Sequence, residues 1–140
     1  MHPRLTIEGY TITSPETLNY NCIAWGANVD TAWWWPDSQN QAYWPPGVAR
    51  VETVSAFKQA YRTVGFVNCS DGNLVEGTEK IAVYVNSRNV PTHAARQLPS
   101  GEWTSKLGRC HDITHTLAGL EDNFYGSVGF FMQRRTPTIT

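Results

Sequence analysis

The triplet Pro99-Ser100-Gly101 narrows the fold of this chain more than any other feature. It suits a type I turn followed by a glycine in the left-handed conformation, the three-residue connection of a bulged β-hairpin. Such a loop sets Leu98 against Glu102. Counting back, Ala95 faces Ser105 and His93 faces Leu107, so Trp103, Ser105 and Leu107 share a sheet face with His93. Ser105 becomes a diagonal neighbour of the histidine, and a slip of one residue would carry the whole set to the other face. The flanking segments, Thr92 to Leu98 and Glu102 to Leu107, are joined by two further runs of strand formers, Lys80 to Val85 and Tyr125 to Gln133. The second half of the chain therefore predicts a mainly antiparallel sheet.

The first half has a different period. Ser14-Pro-Glu-Thr-Leu reads as an N-cap with proline at the first helical position, and Cys22-Ile-Ala-Trp-Gly continues as a short helical segment stopped by Gly26. From Thr53 to Thr63 the apolar positions Val54, Phe57, Ala60, Tyr61 and Val64 follow helical spacing up to Gly65. Between them, Asn28 to Val48 is loop-like. It carries Trp33, Trp34, Trp35, Tyr43 and Trp44, and Pro36, Pro45 and Pro46 argue against regular structure there. Six Trp and six Tyr in 140 residues are more than a core of this size readily hides. Some are expected to line a groove, with the segment from Trp33 to Trp44 as one wall.

A chain of this length is expected to be one domain, 1–140. With 41% hydrophobic and 16% charged residues and a net charge of -1, it has a globular composition and no long-range attraction for polyanions, so nucleic acid is a poor partner. The longest apolar runs, such as Ile81 to Val85 and Val128 to Met132, are too short to span a bilayer as helices. The start Met1-His-Pro-Arg has no signal-peptide core. Cys22, Cys69 and Cys110 leave one cysteine unpaired in any scheme, and none share a C-x-x-C spacing, which fits a reducing, cytoplasmic setting. Phosphate loops and dinucleotide fingerprints are absent, so no cofactor is implied. Arg134-Arg135 reads as a solvated tail.

The residues with the clearest chemistry are Cys22 and His93. A thiolate nucleophile needs a helix N-terminus or a cation to lower its pKa and an imidazole in reach, which distant positions in the chain can supply. The bland alternative is that Cys22 is an ordinary buried thiol. Asn21 suits either oxyanion stabilisation or helix capping.

The segments Asn19-Tyr-Asn-Cys-Ile-Ala-Trp25, Tyr43-Trp-Pro45, Glu79 to Tyr84, Pro91-Thr-His-Ala-Ala-Arg-Gln-Leu98, Gly101 to Gly108, Asp112 to His115 and Tyr125-Gly126 together resemble a family of small bacterial domains. The order of a cysteine first and a histidine on a strand is similar to papain-like and NlpC/P60-like cysteine hydrolases. That resemblance implies Cys22 as nucleophile, His93 as base, and a polar residue about a dozen positions beyond the histidine, where Ser105 stands, as its orienter. Asp112 is the other candidate for that role and is ranked slightly ahead. Asn21, Trp25, Ser105 and Lys106 are the expected binding residues, Lys106 by neutralising a substrate carboxylate or phosphate.

His111-Asp-Ile-Thr-His115 competes with this reading, since histidines four apart on a helix can share a zinc ion. Ile113, Leu117 and Leu120 have spacing compatible with a helix, and Glu121 and Asp122 could add a ligand. Asp in place of the usual Glu is one methylene short for a general base, so no metal site is assigned.

The expected fold is thus α+β and papain-like (NlpC/P60-like), an N-terminal helical part carrying Cys22 packed on an antiparallel sheet carrying His93. The expected function is a cysteine-dependent hydrolase or acyltransferase acting on an amide or ester bond of a peptide, protein or small substrate. Alternatives are a non-catalytic binding module using the aromatic loop and a zinc hydrolase using His111 and His115. Oligomeric state is left open.

Overall fold

The structure is a computed structural model, and it describes residues 11–12, 21–28, 34–39, 41–106, 112–117 and 126–136, of which Thr11, Ile12, Lys106 and Asp112 are described in the backbone alone. Along the chain its elements are β1 (Thr11–Ile12), α1 (Cys22–Gly26), α2 (Val54–Arg62), β2 (Val67–Cys69), β3 (Thr78–Val85), β4 (Pro91–Gln97), β5 (Trp103–Lys106), β6 (Asp112–His115) and β7 (Ser127–Arg135). The strands form one sheet in the order β1-β6-β5-β4-β3-β7-β2, antiparallel at every pairing. The expected strand-rich second half is present.

The predicted helical part is not. Instead of a helical layer on a sheet, the described residues form two short helices, five and nine residues long, against a dominant sheet, so the papain-like arrangement is corrected. Both lie where the sequence placed helical segments, α1 over Cys22 to Gly26 and α2 within Thr53 to Thr63. Thr53 caps α2 by accepting from the Ala56 N–H, and Ala56, Phe57, Ala60 and Tyr61 form its buried stripe. The segment from Ser14 to Leu18 lies outside the described residues.

The proline-interrupted aromatic loop does much of the covering that a helix was expected to do. Trp34 and Trp44 are each 4% exposed, and both belong to the core under α1 and α2. Phe57 receives Trp44 and Trp35 edge-on, at ring separations of 5.1 and 5.5 Å. A loop can be packed this tightly only if its backbone polar groups are satisfied. Asp37 accepts from the Gln41 and Ala42 N–H groups, and Arg50 donates to the Asp37 and Ala42 carbonyls and to the Asp37 carboxylate. These loop hydrogen bonds hold the Asp37 carboxyl below its ordinary value, burial opposing and the Arg50 charge assisting.

The sheet separates two cores. Alternation along β3 sends Ile81 and Val83 to the face covered by α1, α2 and the aromatic loop, and Ala82 and Tyr84 to the other. β4 does the same, Ala94 joining the first core and Ala95 the second. The turn at Pro99-Ser100-Gly101 has the expected register, with Gly101 at φ +91° and Leu98 N–H donating to the Glu102 carbonyl at 2.7 Å.

Arg134 is no solvated tail. It donates to Glu79 at 2.5 Å and to the Val64 and Ala27 carbonyls, and its guanidinium lies 4.4 Å from the Phe66 ring centre. A planar fork with several donors can serve both the carboxylate and the carbonyls, where an ammonium could not.

Candidate functional site

Cys22 begins α1 and is 9% exposed, packed with Ala94 and Val83 on the first face of the sheet. Close by is the Tyr61 hydroxyl, which donates to the Ile23 carbonyl at 2.8 Å. Burial raises the Tyr61 hydroxyl pKa well above its usual range, and negative charge on Cys22 adds to that effect. His93 is fully buried on the opposite face. It pairs across strands with Tyr84, whose ring meets the imidazole edge-on at 5.6 Å. The sheet lies between Cys22 and His93.

Asn21 is the cap of α1. Its Oδ1 accepts from the Ala24 and Trp34 N–H groups at 3.1 and 3.0 Å, while Nδ2 donates to the Trp34 carbonyl at 2.7 Å. The side chain is committed to holding the aromatic loop against the helix, which favours the capping role over an oxyanion role. Trp25 donates through Nε1 to Thr104 Oγ1 at 3.3 Å and carries the Arg96 guanidinium on its ring face at 4.2 Å. Arg96 in turn donates to Asn28 Oδ1.

Ser105 and His93 do share a face, as the hairpin register requires. Ser105 is hydrogen-bonded to His115, however, its Oγ lying 2.6 Å from Nε2. His115 reaches that position because residues 112–115 form strand β6, with Ser105 opposite Ile113 and Trp103 opposite His115. The helix imagined for the zinc motif is therefore corrected to a strand. His111, Glu121 and Asp122 lie outside the described residues, and no group of metal-ligating side chains occurs among those described. Asp112 pairs in the backbone with Lys106. The expectation missed Ser105 and His115 as a pair because the apolar spacing of Ile113 and Leu117 imitates a helix.

A hollow of about 910 Å³ lies at the end of the sheet where β3 begins and β4 ends. One wall is the strap leading into β3, with Leu74, Val75 and Glu76. The other is the end of β4 and its turn, with Arg96, Leu98 and Pro99. Leu74 and Val75 are 51% and 47% exposed, yet the strap bearing them is fastened at its root. Lys80, buried, donates to the Asp71 carboxylate at 2.9 Å and to its carbonyl at 3.2 Å, and Gln97 donates to the Gly72 carbonyl at 2.8 Å. The Lys80 bond is the first cause holding the Asp71 carboxyl below its ordinary value. Gly72 sits so close to Trp103 and Phe131 that a Cβ there would come within 2.9 Å of both rings. At the far end Thr136 N–H donates to the Gly77 carbonyl. Leu98 and Pro99 were read from sequence only as part of the turn, and Leu74 and Val75 were not singled out at all. The only local signal was Leu74-Val75 standing in a segment otherwise rich in Gly, Asp and Asn.

Among the described residues of the aromatic loop, Trp34 and Trp44 are core residues, Trp35 is half-buried and Tyr43 is exposed. Trp33 lies outside the described residues. Among the described residues no helix is long and apolar enough to cross a membrane. A family model described as a domain of unknown function (DUF7689) matches residues 11–133. No curated protein and no solved structure matches the chain.

Proposed function

The chain belongs to the DUF7689 family, and from its own geometry we propose that it is a binding module that holds a short peptide segment with apolar side chains in the groove between the strap and the β4–β5 turn. The observation that carries this reading is the pairing of exposed Leu74 and Val75 with a strap fixed at Asp71 and Gly72. Apolar side chains left uncovered on a braced frame lose little conformational freedom when a ligand covers them, which favours affinity. The volume lies toward the upper end of the roughly 300–1,000 Å³ common for ligand pockets. Glu76 and Arg96 at its rim supply orientation, and Arg96 is kept flat by Trp25.

A thiol hydrolase built on Cys22 and His93 needs both side chains on one face of the sheet. Their separation by the sheet supports the binding reading instead.

Selection from a displayed peptide library against the full chain tests the proposal. Enriched peptides should be apolar and should lose at least about tenfold in affinity, about 1.4 kcal/mol, when Val75 or Leu98 is changed to Asp. A library yielding no binder, or binders indifferent to both changes, overturns it.

A further inference from the structure

We propose that the outer edge of β2 accepts an extended acidic segment of a partner protein as an added strand, one carboxylate of which enters a hollow beside Lys58, at a surface separate from the groove under the strap. β2 closes the sheet on one side. It pairs with β7 through Val67, Asn68 and Cys69, and among the described residues no other backbone group bonds to these three. Val67 is 55% exposed and Asn68 is exposed as well. Such an edge presents N–H and C=O groups at strand spacing, so main-chain pairing is the affinity it offers.

β7 runs on past the end of β2, and beside this step lies a hollow of about 350 Å³ bordered by Lys58, Asn68, Cys69, Ser70, Gly129 and Phe130. Lys58 is half-buried there, its ammonium 5.1 Å from the Phe130 ring centre, and no carboxylate pairs with it among the described residues. An ammonium held over a ring keeps donors for an anion, and the Asn68 amide can add its own.

Charge decides the occupant. Arg62 closes α2 just before β2, exposed Arg135 lies on β7 beyond the Val67 partner Gln133, and Lys58 stands at the Cys69 end. The carboxylates of Asp71 and Glu79 on adjoining segments are already bonded to Lys80 and Arg134. Two copies of the chain pairing edge to edge would set these cations against each other. A strand carrying Asp or Glu at every second position, all on one face, meets them with opposite charge.

The test presents the folded full chain with a blocked peptide alternating glutamate and valine, and with the same peptide carrying lysine for glutamate. Titration calorimetry reads binding, and iodoacetamide labelling of Cys69 reads position, since this cysteine borders the hollow. At about ten times its Kd the glutamate peptide should slow Cys69 alkylation about tenfold, and the lysine peptide should leave it unchanged. Lys58→Glu should weaken the glutamate peptide at least about tenfold and admit the lysine peptide, a reversal that a purely structural lysine would not produce. Methylating every second peptide nitrogen should abolish binding in one pattern and spare it in the other, because only one edge of the added strand pairs with β2. Equal behaviour of the two peptides, no change in Lys58→Glu, or indifference to both methylation patterns would each overturn the proposal and leave the cations as guards against strand pairing. Equal protection of Cys69 by free glutarate would also overturn it, in favour of a site for a small anion.

Discussion

Asn21 holds both polar backbone groups of Trp34 at once, accepting from its N–H at 3.0 Å and donating to its carbonyl at 2.7 Å. The same oxygen caps α1, so one side chain ties a five-residue helix to a loop that has no regular structure of its own. Replacing Asn21 by Ala removes the cap and leaves two groups of Trp34 unsatisfied. Denaturant unfolding should show a loss of about 2–4 kcal/mol. Asn21→Asp should also destabilise, because a carboxylate cannot donate to the Trp34 carbonyl. An unchanged midpoint in Asn21→Ala would show that these bonds do not hold the loop.

Cysteine reactivity should follow exposure. Cys69 is half-buried and borders a hollow of about 350 Å³, although burial pushes its thiol pKa up and the Lys80 charge only partly offsets this. Cys22 is more enclosed. Timed iodoacetamide labelling of the native chain should modify Cys69 before Cys22, and His93→Ala should leave the Cys22 rate within about twofold, since the histidine lies across the sheet. Fast Cys22 alkylation that depends on His93 would restore the thiol chemistry.

The two faces also show how far the sequence could be read. Helix α2 and the hairpin at Pro99-Ser100-Gly101 were legible because their signals are local: an N-cap and apolar stripe in one, turn chemistry in the other. The hairpin register also put Ser105 on the same sheet face as His93. The Ser105 partner, His115, was not legible, because four residues of strand cannot be told from a helix turn when Ile113 and Leu117 are four apart. The aromatic loop misled for another reason. Counting Trp and Tyr gives area to be covered but not which side chains cover it, and prolines that forbid a helix do not forbid dense packing. The groove escaped notice because its walls come from segments about twenty residues apart and meet only when β3 and β4 pair.

Gly126 is a position where backbone conformation decides the outcome. Its φ is +84°, and a Cβ there would lie 1.9 Å from the Val85 carbonyl oxygen. Gly126→Ala should therefore destabilise by several kcal/mol, at least ~3 kcal/mol, from left-handed strain added to a clash with backbone that cannot swing away. Gly77, also at positive φ but with open space around it, should lose only about 1 kcal/mol on the same change. Thermal melts of the two variants compare them directly, and equal losses would contradict this account.

The Asp37 clamp makes stability depend on pH in one direction. Its folded-state pKa is depressed below the ordinary 3.8, chiefly by the Gln41 and Ala42 N–H groups, so its contribution is full above that value and is lost as pH falls below 3.8 through the folded pKa. Asp37→Asn should be less stable than the parent at neutral pH, and the gap should close only in that acid window. Urea unfolding of both proteins across the acid range measures it. A gap constant down to the most acid point would show that the charge is irrelevant.

Because β3 contributes Ile81 and Val83 to one core and Ala82 and Tyr84 to the other, its residues are counted by parity rather than by number. Losing a single codon anywhere inside this strand would exchange the occupants of two interiors together, putting Tyr84 where a valine fits and a valine where Tyr84 now bonds the Leu117 carbonyl. Substitutions can accumulate there one at a time, but a single insertion or deletion is expected to survive only where a bulge takes up the odd residue, as the partner strands already do beside Tyr84. The strand thus acts as a reading frame for the protein as well as for its gene.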